Sequence, residues 1–399
     1  MDMDTLLSEP TFIPKINDKT VIKSGLPFTA VLIDAHIVAS KLPLVEEVRE
    51  KIKDIIIDPV TYFIQFEESR LKSSFQKLPY STVDNVQKLY SDPTYRLNSL
   101  VIPTIDFQYA NNSSIVIAPY LCSGDINSTV FSTNLTLLGE TITNMEGRTE
   151  KKPLFAPICI GSHILADAKM VNFVVDCYKD ESIYGKIDGY FILVNDLDDR
   201  QASTDVLLGL ANLVYQLSRE KKVVVNKLGG FGEILNIIGS DAFVSSPAAG
   251  ETFSMKQLQT KSQDIRGRNH KLWTYVPELF DYINEVELAA DRINYQCDCP
   301  ACTDTLGLDS LASQRKVHFL FKRMESIKAL EGKTRDVKIK EMLKKLDAGI
   351  ALAQGYMTKF GSDLKINHIY RWKSVLESSV AWNYEEDDEE LGKLLDALD

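Results

Sequence analysis

With 44% hydrophobic and 25% charged residues over 399 positions, the chain has enough apolar mass for a large core, which excludes wholesale disorder. A formal net charge of -11 excludes a surface coated all round in basic patches, although a local basic groove stays open. No apolar run is long enough to span a bilayer, and MDMDTLLSEPTF lacks the basic-then-apolar order of a secretion leader, so a cytoplasmic protein away from membranes is expected.

Residues 1–24 are read as an N-terminal arm. From residue 28 onward, short apolar runs bounded by turn residues alternate with helical patterns, as buried parallel strands and their crossover helices do. The runs are 28–33 (FTAVLI), 54–57 (DIII), 114–118 (SIVIA), 154–160 (LFAPICI), 189–194 (GYFILV), 222–225 (KVVV) and 242–245 (AFVS), with an eighth expected at 272–276. Residues 44–53 and 204–221 have the spacing of crossover helices. Alternation through eight repeats predicts an α/β fold, a (β/α)8 TIM-type barrel over 25–290, with an open doubly wound sheet as the alternative. The glycine-rich run 228–232 (LGGFG) follows a late strand and is too weak a signal for a phosphate loop.

Beyond the barrel, Cys297, Cys299 and Cys302 form C-x-C-x-x-C, and the next histidine is His318. In a reducing compartment such clustering points to metal, and three thiolates with one imidazole make a closed tetrahedral site of the structural zinc type. Residues 291–320 are therefore expected to be a zinc-binding insert. Cys122, Cys159 and Cys177 read as small core residues. From 321 to 399 a C-terminal helical extension is expected, with helices over 310–330, 338–358 and 364–380. Helices of this kind pack on a barrel or form an interface, which leaves room for a homodimer. The acidic run 385–390 reads as a solvated tail.

The cysteine motif after a barrel order resembles the tRNA-guanine transglycosylase superfamily, over residues 25–320. Smaller matches fall in the same order: Asp58 to Phe63 after a strand, Gly161 and Ser162 after another, and Gly239 to Phe243 before the strand that carries the nucleophile of base-exchanging members. Here that nucleophile position is Val244, which cannot attack an anomeric carbon. The resemblance implies that Asp58 is the pocket aspartate and that Gly161 and Ser162 contact the base. A retained carboxylate without the nucleophile is expected to orient or deprotonate a water and stabilise an oxocarbenium-like sugar, which fits a DNA glycosylase that hydrolyses the N-glycosidic bond of a modified, flipped-out base, as in phage defence. The alternatives are a base-exchanging transglycosylase on DNA or tRNA with another nucleophile, and a non-catalytic partner subunit.

Position supports the same residues. Asp58 ends a strand, where barrels keep catalytic groups. Asp196, after the 189–194 run, is the second choice for general base, sugar contact or nucleophile. Asp34 and His36 are expected to satisfy each other, and Asp241 precedes its strand and is expected to be structural. Tyr62, Phe63 and Tyr120 are candidates to sandwich a base. Lys256, Lys261, Arg266, Arg268, His270 and Lys271 follow the seventh run and are expected to meet phosphates of a nucleic acid.

Overall fold

The β-branched and aromatic runs form eight strands: β1 (Thr11–Ile16), β2 (Ala30–Asp34), β3 (Asp54–Asp58), β4 (Val116–Ile117), β5 (Leu154–Gly161), β6 (Gly189–Asn195), β7 (Lys222–Asn226) and β8 (Ala242–Ser245). They make one sheet in the order β3-β2-β1-β8-β7-β6-β5-β4, with every ladder parallel. The computed structural model describes residues 7, 11–246, 251–259, 273–284, 297–303, 306–308, 310–360 and 364–382.

The two end strands nearly meet, which makes the sheet an almost closed (β/α)8 barrel. At that seam the amide of Ser114 donates to Ile55 O at 2.8 Å. Two serine hydroxyls replace the rest of the ladder: Ser114 Oγ accepts from Ile55 N and Ser113 Oγ from Ile57 N, each at 3.1 Å. Small hydroxyl side chains thus satisfy amides that a full strand would have paired.

One expected strand is corrected. The eighth run does not enter the barrel: its described part, Trp273–Val276, pairs antiparallel with Asp281–Asn284 in a separate two-stranded sheet. The remaining barrel strand is β1, inside the segment read as an arm, and it lies between β2 and β8. Pro14 and Lys15 break the apolar run there, and proline ordinarily argues against a central strand. Phe12, Ile13 and Ile16 are nonetheless buried.

Helices Leu42–Lys51, Thr129–Glu146, Ala168–Tyr178, Thr204–Leu217 and Phe231–Ile238 follow β2, β4, β5, β6 and β7. Three of them start on side-chain caps, with Ser128, Asp167 and Ser203 accepting from Phe131 N, Lys169 N and Val206 N. Helix Leu311–Lys328 takes the place of the last crossover, where Phe319 meets Phe12 of β1 edge-on at 6.2 Å. The C-terminal helical extension continues with Arg335–Phe360 and Asn367–Ser379. It is fastened to the barrel by fully buried Trp372, whose Nε1 donates to Asp199 O at 2.9 Å. Among the described residues no helix is long and apolar enough to cross a membrane. The acidic run 385–390 lies outside the described residues.

Candidate functional site

Parallel strands deliver their C-terminal ends to one mouth. Lys15 of β1, Asp34 of β2, Asp58 of β3 and Asn226 of β7 end there, followed by Lys227. All four strand-end residues are buried. Asp34 and Asp58 are register partners on neighbouring strands, so their backbones lie about 4.8 Å apart.

Both Asp58 oxygens are engaged. Oδ1 accepts from Val60 N at 2.9 Å and from the Tyr120 hydroxyl at 2.7 Å, and Oδ2 accepts from Asn226 Nδ2 at 3.0 Å. The turn behind it is fixed with similar care. Val60 is left-handed at φ 48°, an expensive state for a β-branched residue. It is held because Thr61 Oγ1 donates to Tyr120 O at 2.6 Å and accepts from Tyr120 N at 2.7 Å.

Asp34 is not satisfied by His36, as expected from sequence, but by Lys15 at 2.7 Å. His36 instead lies against the Phe63 ring at 5.4 Å, and its Nδ1 is buried without a hydrogen-bond partner. Asn226 Oδ1 is also buried and unpartnered. Buried polar atoms left open in this way can take a hydrogen bond from a water or from a ligand.

The environments drive the titrating groups apart. Burial pushes the Asp58 carboxyl up, and neighbouring Asp34 adds to the rise, while Lys15 and the Tyr120 hydroxyl only partly offset it. Burial acts on Asp34 too, but Lys15, His36 and Lys227 outweigh it and hold Asp34 below the usual carboxylate range. Burial, with Lys15 nearby, brings the Lys227 ammonium down to about 8. One carboxyl that favours its proton beside one that favours its charge is the arrangement of an acid with an electrostatic partner.

Tyr62, Phe63 and Tyr120 surround this centre. Tyr62 lies 5.2 Å from Phe63 and 5.6 Å from Tyr120, and Phe253 closes on its edge at 4.9 Å. All three are buried against one another, so a base could lie between them only by displacing one of these contacts.

The structure does not bring Asp196 to Asp58. Asp196 sits exposed on the rim at φ 57°, where Ser254 Oγ donates to it at 2.5 Å and Lys256 Nζ lies 3.9 Å away. Ser162 belongs to the same rim, its hydroxyl donating to Asp196 O at 3.1 Å. Gly161 ends β5 under the His163 ring, which a Cβ at that position would meet at 2.6 Å. Lys256 is exposed on helix Met255–Gln259. Lys261, Arg266, Arg268, His270 and Lys271 lie outside the described residues. Asp241 is structural, as expected: at the far end of β8 it accepts from Val223 N at 2.8 Å and pairs with Lys222 at 2.9 Å.

Away from the mouth, Cys297, Cys299, Cys302 and His318 form a Cys3His cluster that could hold a metal ion, their ligand atoms all within 4.8 Å of one another. His318 Nδ1 stands 3.5, 3.5 and 3.3 Å from the three sulfurs. Tetrahedral bonds of zinc length place sulfur and nitrogen about 3.5 Å apart, so the three sulfur–nitrogen spacings are compatible with that ion. His318 Nε2 faces Tyr275 O at 2.8 Å, which fixes the ring with Nδ1 toward the sulfurs.

Set against known families and curated protein sequences, the chain matches no family model and no curated protein.

Sequence reasoning missed Lys15, Asn226 and Lys227. The last two carried the signal that singled out Asp58, a polar residue directly after an apolar strand run. Lys15 was hidden with its strand.

Proposed function

We propose that the chain cleaves the bond between a nucleobase and its sugar at the barrel mouth, as a glycosylase that hydrolyses it in DNA. The observation that carries this reading is the adjacent pair Asp58 and Asp34, with opposite proton preference at the ends of neighbouring strands. Asp58 supplies a proton to the departing base, ionised Asp34 stabilises positive charge that develops on the sugar, and water adds to the anomeric carbon and returns its proton to Asp58. Lys15 keeps Asp34 ionised through their ion pair.

Asn226 Oδ1 and His36 Nδ1 offer open hydrogen-bonding positions to the base or sugar. A base reaches them only after leaving the stack, with Tyr62, Phe63 and Tyr120 parting to receive it. Gly161 and Ser162 contribute the neighbouring rim. Lys256, exposed beside Asp196, is proposed to meet phosphates, a role the sequence extends to Lys261, Arg266, Arg268 and Lys271.

The cluster of Cys297, Cys299, Cys302 and His318 is proposed to hold one structural zinc. A closed set of four protein ligands leaves no open position for a substrate, and its function is to pin the Cys297 turn to helix Leu311–Lys328.

Incubation of the protein with modified and unmodified DNA and with tRNA tests the reading. Free base with abasic sites is expected. Incorporation of an added base without abasic sites would establish exchange instead, and absence of both reactions would support a non-catalytic subunit.

A further inference from the structure

We infer that Lys227 forms an imine with the aldehyde carbon of the ring-opened pentose that base removal leaves behind. This rests on the base-release reading above and adds to it a covalent step at a residue that takes no part in the proton transfer.

Two lysines reach the mouth, and their amines are differently engaged. Lys15 Nζ is committed to Asp34 at 2.7 Å. Lys227 Nζ forms no ion pair within 4.0 Å and no hydrogen bond among the described residues, although Asp34 and Asp58 act on it from further away, and it lies 5.0 Å over the ring of Phe253. Phe253 meets Tyr62, Tyr62 lies beside Tyr120, and the Tyr120 hydroxyl donates to Asp58. One run of aromatic contacts therefore links the Lys227 amine to the Asp58 carboxyl.

The backbone makes the same point. Lys227 is left-handed at φ 57°, a state that a lysine rarely adopts. It is held by the next residue, since Leu228 N donates to Val244 O at 3.1 Å. Strain of this kind persists where it places a side chain that function needs. Low polarity and a second cation nearby are also the conditions that free a lysine amine for attack on a carbonyl, and burial with Lys15 lowers Lys227 to about 8.

The step balances without another reactant. The Nζ lone pair attacks C1 of the open-chain sugar, a C–N bond forms, and the carbonyl oxygen becomes a hydroxyl. That hydroxyl leaves as water, and both amine hydrogens end in the water released, relayed through the Asp58 carboxyl. Hydrolysis reverses the imine and returns a free amine.

The test uses the full chain with 2-deoxyribose and sodium cyanoborohydride, which reduces an imine to a stable secondary amine, followed by peptide mapping. A sugar adduct on Lys227, absent from Lys15 and from K227R, is expected. A duplex oligonucleotide with one abasic site should be trapped on the same residue. K227R keeps the charge, and retention of metal and of the thermal unfolding profile shows that it is folded. Labelling spread evenly over exposed lysines, or none at Lys227, overturns the inference. Base release without Lys227 labelling defeats the imine alone. Labelling without base release from any DNA or tRNA upholds the imine site and defeats the glycosylase reading.

Discussion

Asn226 on β7 reaches across the barrel to Asp58 on β3, its Nδ2 donating to Oδ2 at 3.0 Å while its own Oδ1 is buried without a partner. Turning the amide over would place that oxygen against Asp58, where it accepts a proton held by the carboxyl. The site is thus compatible with both protonation states of Asp58, and a group that supplies and recovers a proton needs that property.

Asp58→Asn separates chemistry from stability. The asparagine amide mimics the neutral acid and can donate to a turned Asn226, so the fold should survive. Asp58 has a raised pKa when folded, so it contributes stability below its unfolded value, and this is lost as pH rises through the folded one. At neutral pH the variant should therefore melt no lower than the parent. Base release should fall by about 10²- to 10⁴-fold, the usual contribution of a positioned acid. Unchanged release would remove Asp58 from the mechanism.

The pH profile of base release should decline on the alkaline side as Asp58 gives up its proton. Lys15→Met should act differently. Without its ion partner Asp34 rises toward the neutral form, since burial already pushes it that way. The acid limb of the profile should therefore move to higher pH, with the alkaline limb kept. An acid limb that stays in place would detach Asp34 from the reaction.

The fold was largely legible because seven of its strands are predominantly apolar runs with turn residues at their ends, from FTAVLI to AFVS. β1 was not, because Pro14 and Lys15 mimic a break, and the reason for Lys15 is only visible once Asp34 is beside it. The four metal-ligand candidates were legible from spacing alone. Asp58 was legible as a strand end, whereas Asn226 and Lys227 acquire meaning only from the opposite wall of the barrel. Asp196 shows the limit of the same rule: a carboxylate after a strand can turn outward, as it does here toward Ser254 and Lys256.

Metal analysis should find about one zinc per chain, and chelation should lower the melting temperature. Cys302→Ser should lose the ion and loosen the end of helix Leu311–Lys328, which His318 joins to the cysteine turn. Cys177→Ser should retain it, because Cys177 lies on helix Ala168–Tyr178, outside the cluster. A stable, metal-free parent protein would overturn the assignment.

Gly209 packs its helix directly on the turn after β5, where a Cβ would stand 1.8 Å from Leu165 O. In a free helix Gly→Ala is worth about 1 kcal/mol of stability. Here overlap with backbone must be relieved by moving the Ser162–Ala166 turn or the helix, at about 1–3 kcal/mol. The second effect should win, and Gly209→Ala should lower the melting temperature.

The carboxyl groups around Arg323 make the stability of the fold depend on pH. Arg323 is buried, pairs with Glu233 at 2.7 Å and approaches Glu251 at 3.4 Å. Burial pushes Glu251 up to about 7 although Arg323 opposes it, and burial likewise pushes Asp199 up to about 6. Both raised groups stabilise the fold below their unfolded values and lose that contribution as pH rises through about 6 and then about 7. Glu233 differs: burial is outweighed by Lys345 and Arg323, and it is held below its usual range. Arg323→Met leaves Glu233 buried with Lys345 as its remaining cation, so a loss of about 3–5 kcal/mol is expected. Without the arginine Glu251 rises further, which makes its ionisation more costly still. Thermal unfolding of parent and variant at about pH 5.5 and about pH 8 should therefore show a larger gap at the higher pH. An equal gap at both would mean that Glu251 does not titrate with the fold.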